Sequence, residues 1–222
     1  MKKRKPIIEF KNIFLDFKTK TKIKEIFKDC NFAVNSGQKV VVFGKSGTGK
    51  STLLNLILGF KQPKSGSIFF KNKKITSENI WHVRSQIAYV DQDVMMGEGL
   101  VKEIIDEYFS FIANSKVKFS QKELEKQMSD FDLDLSLLEK DISHLSGGER
   151  QRLALVVALL LKRPFMILDE VTSALDPASK KIVIEKLIKN KKQTLLVITH
   201  DKEWQQEPGV KVFDFKEKKW VQ

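Results

Sequence analysis

The chain has 222 residues, 41% hydrophobic and 31% charged, which excludes a disordered polymer and leaves one large or two small globular domains. Its single cysteine, Cys30, excludes an intrachain disulfide and a cysteine-built zinc site, and its longest apolar run, nine residues at 153–161, falls short of the ~20 that cross a bilayer. The 40 basic against 28 acidic side chains, a net charge of +12, point either to a polyanionic neighbour or to a lysine-rich composition alone, because the lysines are spread along the chain.

The opening MKKRKPIIEFKN is basic but has no apolar segment behind it, so it is not expected to be a signal peptide. Residues 7–17 and 26–34, rich in Phe, Ile and Val between polar turns, predict strands. VVVFG at 40–44 is a short apolar run that feeds a glycine turn and then a helix over 50–58, and 66–70 and 87–91 predict further strands. Residues 93–145 change character, with the amphipathic stretches VKEIIDEYFSFI and QKELEKQMSDF and helical spacing of Leu124, Met128 and Phe131, and read as an inserted helical subdomain. A helix over about 147–162, the strand PFMILDE, a helix near 177–190, the strand TLLVITH and a short strand-rich tail follow. Strands apolar on both faces alternating with helices predict an α/β fold with a mainly parallel sheet covered by helices.

Gly44, Lys45, Ser46, Gly47, Thr48, Gly49, Lys50 and Ser51 match GxxxxGK[ST] between a predicted strand and a predicted helix. Glycines let the backbone curl until successive N–H groups face phosphate oxygens, and the helix N-terminus adds its dipole. Lys50 is placed to reach the β- and γ-phosphates, and the Ser51 hydroxyl to ligate Mg²⁺. PFMILDE ends in Asp169 and Glu170; at the carboxyl end of a buried strand, Asp169 is expected to hold Mg²⁺ and Glu170 to reach an attacking water. A second helix start, Ser146, Gly147, Gly148 and Glu149, has the residues of a capping box. Two glycines are unnecessary for a box and suit a ligand brought close to bare backbone. Two phosphate-ready helix starts with one acidic strand imply either two nucleotides, or one nucleotide completed by a second copy of the chain.

These residues resemble the ATP-binding subunit of ABC transporters over essentially the whole chain. LSGGERQR at 145–152 is similar to the family signature, GKSGTGKST at 44–52, Thr52 included, to its Walker A motif, and FMILDE to its Walker B motif. Gln92 in AYVDQD resembles the Q-loop glutamine that meets Mg²⁺ and the attacking water; Ser173, Ala174, Leu175 and Asp176 resemble the D-loop; His200 resembles the switch histidine that contacts the γ-phosphate. Phe17, in KNIFLDF, falls where the family usually stacks a tyrosine on adenine, and Asp91 stands where a proline usually precedes the glutamine.

The resemblance implies a P-loop NTPase core with an N-terminal antiparallel β subdomain. It implies a single cassette over 1–222, its core at 1–92 and 146–222 and its helical subdomain at about 93–145. It also implies an ATPase with ATP and Mg²⁺ as cofactors, working as a head-to-tail homodimer with each ATP between one copy's Walker A and the other's Ser146, Gly147, Gly148 and Glu149. Glu170 is then the general base, and Gln92 and His200 complete the catalytic set. A separate transmembrane permease is the implied partner, received by the helical subdomain and the Met95, Met96, Gly97 loop. The chain is thereby expected in the cytoplasm, peripheral on the inner face of the cell membrane. Only 22 residues follow His200, so no regulatory C-terminal domain is expected. LDEVTSALD and ITHDKEW loosely resemble ATPases of bacterial metal-export systems. The alternative is a soluble ABC ATPase of the iron–sulfur assembly type; a nucleic-acid partner is not expected.

Overall fold

The computed structural model describes residues 5–18, 23–44, 47–191 and 193–221, leaving out the side chains at 17, 18, 23 and 24. Strand β1 (Pro6–Lys18) and strand β2 (Ile23–Asn35) form a long antiparallel pair, and β3 (Lys39–Phe43) leads through the glycine turn into α1 (Lys50–Ile57). After it come β4 (Ser65–Phe70), β5 (Lys73–Lys74), α2 (Ile80–Arg84) and β6 (Ile87–Val90). The helical segment holds α3 (Val101–Ser110), α4 (Gln121–Asp130) and two 3-10 turns, Leu135–Glu139 and Ile142–His144. The chain then runs through α5 (Gly147–Leu160), β7 (Phe165–Asp169), α6 (Pro177–Lys189), β8 (Thr194–Thr199), α7 (Glu203–Gln206), β9 (Val210–Asp214) and β10 (Lys219–Trp220).

Two sheets result. One is antiparallel with order β2-β1-β4-β5; the other has order β10-β9-β3-β8-β7-β6, and all its pairings are parallel except β10 with β9. The mainly parallel α/β sheet expected from the alternation is present. Its central strands β3, β7 and β8 are mainly apolar because both faces are covered. Val40 and Val42 of β3, Phe165 and Ile167 of β7, and Leu196 and Ile198 of β8 point into a core shared with β1, β2, β4 and α1. Their neighbours Val41, Met166, Leu168, Leu195 and Val197 point the other way, into a core closed by α5, α6 and the helical segment. This is the period-2 alternation of a strand, buried on both sides.

The helical segment packs through the residues its spacing selected: Leu124 and Met128 of α4, with Phe131 just past its end, join Val101, Ile104 and Ile105 of α3 in the same core as Leu153 and Val156 of α5. Polar ties fasten it to the start of β7. Lys162 Nζ donates to Lys118 O at 3.0 Å and Glu123 Oε1 at 2.9 Å, and Arg163 donates to Ala113 O at 2.7 Å and to Asn114 Oδ1. Beyond it, Met95 (90% exposed) stands on the rim of a cleft of about 320 Å³ lined also by Tyr89, Val94, Tyr108 and Ala158.

The antiparallel sheet depends on one glycine. β1 bulges where it passes β4, between Lys11 and Phe14. Gly66 meets that bulge at φ +92, where a Cβ would lie 2.3 Å from Asn12 O and 2.6 Å from Lys11 O. Both obstacles are backbone, so neither can swing aside. Gly66→Ala is therefore expected to destabilise the fold by at least about 2 kcal/mol, read from urea denaturation.

Candidate functional site

The site begins where β3 ends. Gly49 is the N-cap residue of α1 in the left-handed region, φ 106 and ψ 16, and a Cβ there would lie 2.7 Å from Ile26 Cγ2. Glycine is required twice over, by backbone and by space. Among the described residues no side chain caps α1, and its first turn holds no acidic residue. A helix start left in this way presents N–H groups and a positive dipole to an incoming anion. Gly47 also has positive φ, +73, with open space around it. Lys50 is buried and its ammonium donates to Gly44 O at 2.7 Å, folded back across the loop. Ser51 is exposed on the first turn, Thr52 is buried beneath it and Thr48 is half-buried. Lys45 and Ser46 lie outside the described residues, as does the side chain of Phe17, whose backbone pairs with Lys24 across β1 and β2.

The acidic strand comes to the same edge. Asp169 pairs with Ile198, and Val42 pairs with Ile198 from the other side, so the ends of β3, β8 and β7 are level. Just past this row, the Glu170 N–H donates to Ile198 O at 2.9 Å while Glu170 itself sits at φ 49. A non-glycine residue in the left-handed region is strained, and here the strain turns the side chain back over the strand ends. Glu170, 12% exposed, has Oε1 3.8 Å from Lys50 Nζ and Oε2 2.9 Å from His200 Nδ1. The His200 backbone N–H also donates to Oε2, at 3.4 Å.

Asp169 is buried beside them. Burial pushes its carboxyl up to about 6, the Asp91 and Glu170 charges push the same way, and Lys50 opposes them. Among the described residues, three carboxylates face the Lys50 ammonium here. Asp91, singled out in the sequence only as a departure from the resemblance, is thus a working part of this field. It also accepts the Gln92 N–H at 2.7 Å and bonds Tyr89, whose hydroxyl is held well above its ordinary range by burial and by Asp91 and Asp169. Gln92 is exposed at the end of β6. The donors Ser51, Asp169 and Gln92 are all oxygens, the preference of Mg²⁺. Among the described residues no group of three or more His, Cys, Asp or Glu forms a self-sufficient metal site. Mg²⁺ does not need one, since it takes one or two carboxylates plus substrate phosphates. The residues fit the ion.

The second helix start forms the box its sequence predicted. Glu149 N–H donates to Ser146 Oγ at 3.2 Å and Ser146 N–H to Glu149 Oε2 at 2.7 Å, which holds the Glu149 carboxyl below its ordinary range. Ser146 and Gly147 are exposed, and a Cβ on Gly147 would meet nothing. No fold constraint requires glycine there, whereas a Cβ on Gly148 would touch Leu175 at 3.4 Å. Asp176 caps α6, accepting from Ala178 and Ser179 N–H, both at 3.0 Å.

Comparison with known proteins gives the family. The family described as ABC transporter matches residues 27–173. The ergothioneine transport ATP-binding protein EgtV of Helicobacter pylori (strain G27) is 32% identical over 219 residues, 96% of this chain and 98% of that protein. The ATP-dependent permease MDL1 of Candida albicans is 36% identical over 201 residues, 87% of this chain, which spans only 29% of that permease. The dimeric structure of the ATP-binding cassette MJ0796 in a post-hydrolysis state bound to ADP and Pi superposes with a TM-score of 0.77 at 24% identity, over 94% of each chain. The chain belongs to the ABC transporter family as an ATP-binding cassette, and it is an ATPase.

Proposed function

We propose that this cassette powers a transmembrane permease made as a separate subunit, by binding ATP between two copies of itself and hydrolysing it. The observation that carries the reading is the convergence of Lys50, Asp169, Glu170 and His200 at the uncapped start of α1. Lys50 leaves Gly44 O for the β- and γ-phosphates. Ser51, Asp169 and Gln92 hold Mg²⁺, which when bound neutralises phosphate charge. Glu170 accepts a proton from the water whose oxygen attacks the γ-phosphorus, the bond to the bridging oxygen breaks, and ADP leaves. His200, already 2.9 Å from Glu170, orients that carboxylate and donates to the γ-phosphate. Gly44, Lys45, Ser46, Gly47, Thr48, Gly49 and Thr52 surround the remaining phosphate oxygens, and Phe17 stacks on the base.

Ser146, Gly147, Gly148 and Glu149 close the site from the second copy. Support for two copies comes from the exposure of that helix start and from the dimeric form of the MJ0796 cassette. Support for a permease partner comes from MDL1, where the matched part is a minor share of a permease, and support for a separate one from EgtV, an ATP-binding protein matched over 96% of this chain and 98% of its own length. No helix among the described residues is long and apolar enough to cross a membrane. The division into core (1–92 and 146–222) and helical subdomain (93–145) then has a purpose. The subdomain supports the cleft rimmed by Met95, which receives the permease at the inner face of the membrane. LDEVTSALD and ITHDKEW support metal-ion export as the narrower reading.

Glu170→Gln is expected to lower turnover by about 10²–10⁴-fold while ATP still binds and holds two chains together, seen as an ATP-dependent dimer by size-exclusion chromatography. Full turnover, or a monomer with Mg-ATP, counts against the proposal. Asp169 must be ionised to hold the ion, and its raised value places protonation near pH 6 in the ligand-free chain. Mg-ATP affinity is therefore expected to weaken as the pH falls through about 6, by up to about tenfold per unit, in nucleotide titrations at pH 7 and pH 5. Asp169→Asn is expected to flatten that pH dependence to what the titration of the nucleotide's own terminal phosphate at about pH 6 contributes. Met95→Asp is expected to abolish recovery of the chain with solubilised membranes and to leave the ATPase rate of the isolated subunit unchanged.

A further inference from the structure

Glu170 and His200 are not the only bond between their two segments. Thr172 is fully buried; its hydroxyl donates to Asp201 Oδ2 at 2.7 Å and accepts from Trp204 Nε1 at 3.1 Å. Asp201 is gripped in turn by the Lys180 ammonium of α6 at 3.0 Å, and its backbone N–H donates to Thr199 Oγ1 at 3.0 Å. Trp204 is sealed in the core. The threonine hydroxyl thus uses its donor and an acceptor position, the bond from Trp204 fully buried and the one to Asp201 partly so.

Thr172 follows Glu170 by two residues, and Asp201 follows His200 by one. Past the paired ends of β7 and β8, side chains therefore join the two segments at two levels: at the open edge by Glu170 and His200, 2.9 Å apart, and underneath by Thr172 with Asp201 and Trp204. A single contact acts as a pivot, whereas two fix separation and rotation together. The open contact has to loosen when Glu170 takes a proton and His200 turns to phosphate; the buried one has no such task. We infer that Thr172 and Asp201 form a positioning clamp that keeps the Glu170 and His200 segments aligned on one γ-phosphate. Neither residue touches substrate. The inference rests on the roles proposed for Glu170 and His200.

Thr172→Val keeps the side-chain shape and removes the hydroxyl. In steady-state hydrolysis of Mg-ATP by the full chain, kcat is expected to fall about tenfold or more while KM for ATP stays within about twofold, because phosphate capture by α1 is untouched. Thr172→Ser, which keeps the hydroxyl, is expected within about twofold of the unsubstituted chain. Asp201→Ala is expected to match the Thr172→Val loss, and the double variant to be no slower than the slower single one. An unchanged kcat in Thr172→Val, a raised KM with kcat kept, serine as slow as valine, or losses that multiply would each overturn the clamp. If Thr172→Val does not fold, the same criteria apply to Asp201→Ala against Asp201→Asn, whose amide oxygen still accepts from the threonine. Glu170→Gln assayed alongside separates the two levels. Lost turnover there with normal turnover in Thr172→Val sinks the clamp alone; full turnover in Glu170→Gln sinks the reading beneath it.

Discussion

Val42 of β3, Ile198 of β8 and Asp169 of β7 lie in one row of the parallel sheet, and every feature of the site is counted from that row. The next residues along are Phe43, Thr199 and Glu170, and the ones after them begin the glycine turn and the switch loop. Parallel strands end at the same edge, so three loops remote in sequence open onto one crevice. A slip of one residue in β7 would turn Asp169 to the opposite face and bury Glu170 in its place. The apolar alternation of Phe165 and Ile167 on one face and Met166 and Leu168 on the other prevents that slip. The packing of the two cores thereby sets the chemistry at the edge.

At that edge electrostatics and backbone strain work together. Burial disfavours a charged Asp169, Asp91 and Glu170 add to the penalty, and the opposing Lys50 ammonium is shared with Gly44 O. Such a crevice is destabilising until positive charge enters, which makes it receptive to a cation carried by a phosphate. Glu170 is kept at φ 49 by its N–H bond to Ile198 and by two bonds from Ser173 to its carbonyl, N–H at 3.1 Å and Oγ at 2.8 Å. The strain is small beside the stability of the strands that impose it, and it aims the carboxylate across the crevice rather than out to solvent.

What the sequence made legible is what depends on local spacing. The glycine loop, the box at Ser146 and the apolar strand before Asp169 are each complete within ten residues, so their chemistry could be named from the chain alone. The helical spacing of Leu124, Met128 and Phe131 likewise identified the buried face of α4. Helices α2 and α7, of five and four residues, are too short to display a 3.6-residue period and gave no signal. Contacts between remote segments were equally silent. Asp91 acts on Asp169 across the β6 and β7 pairing, and Thr172 meets Asp201 29 residues away, so both appear only when the sheet is assembled. The left-handed turn at Glu170 was hidden for a different reason: nothing in LDEVTS marks a positive φ, because the neighbouring strand imposes it.

The two helix starts differ in a way that fits different tasks. That of α1 carries neither cap nor acid, so its N–H groups have the most to gain from a phosphate, and Lys50 adds a full charge. That of α5 is already satisfied by its own box, with the Glu149 carboxylate offsetting the dipole at the third residue. A phosphate approaching Ser146 competes with a bond contributing on the order of 1 kcal/mol and meets a like charge one turn in. In the proposed dimer, α1 is the firm half of the site and α5 the half that engages only when a nucleotide is already held by the partner copy. Weak intrinsic affinity at α5 is then an advantage: it lets the two copies separate once the γ-phosphate has been cleaved, which a second uncapped helix would resist.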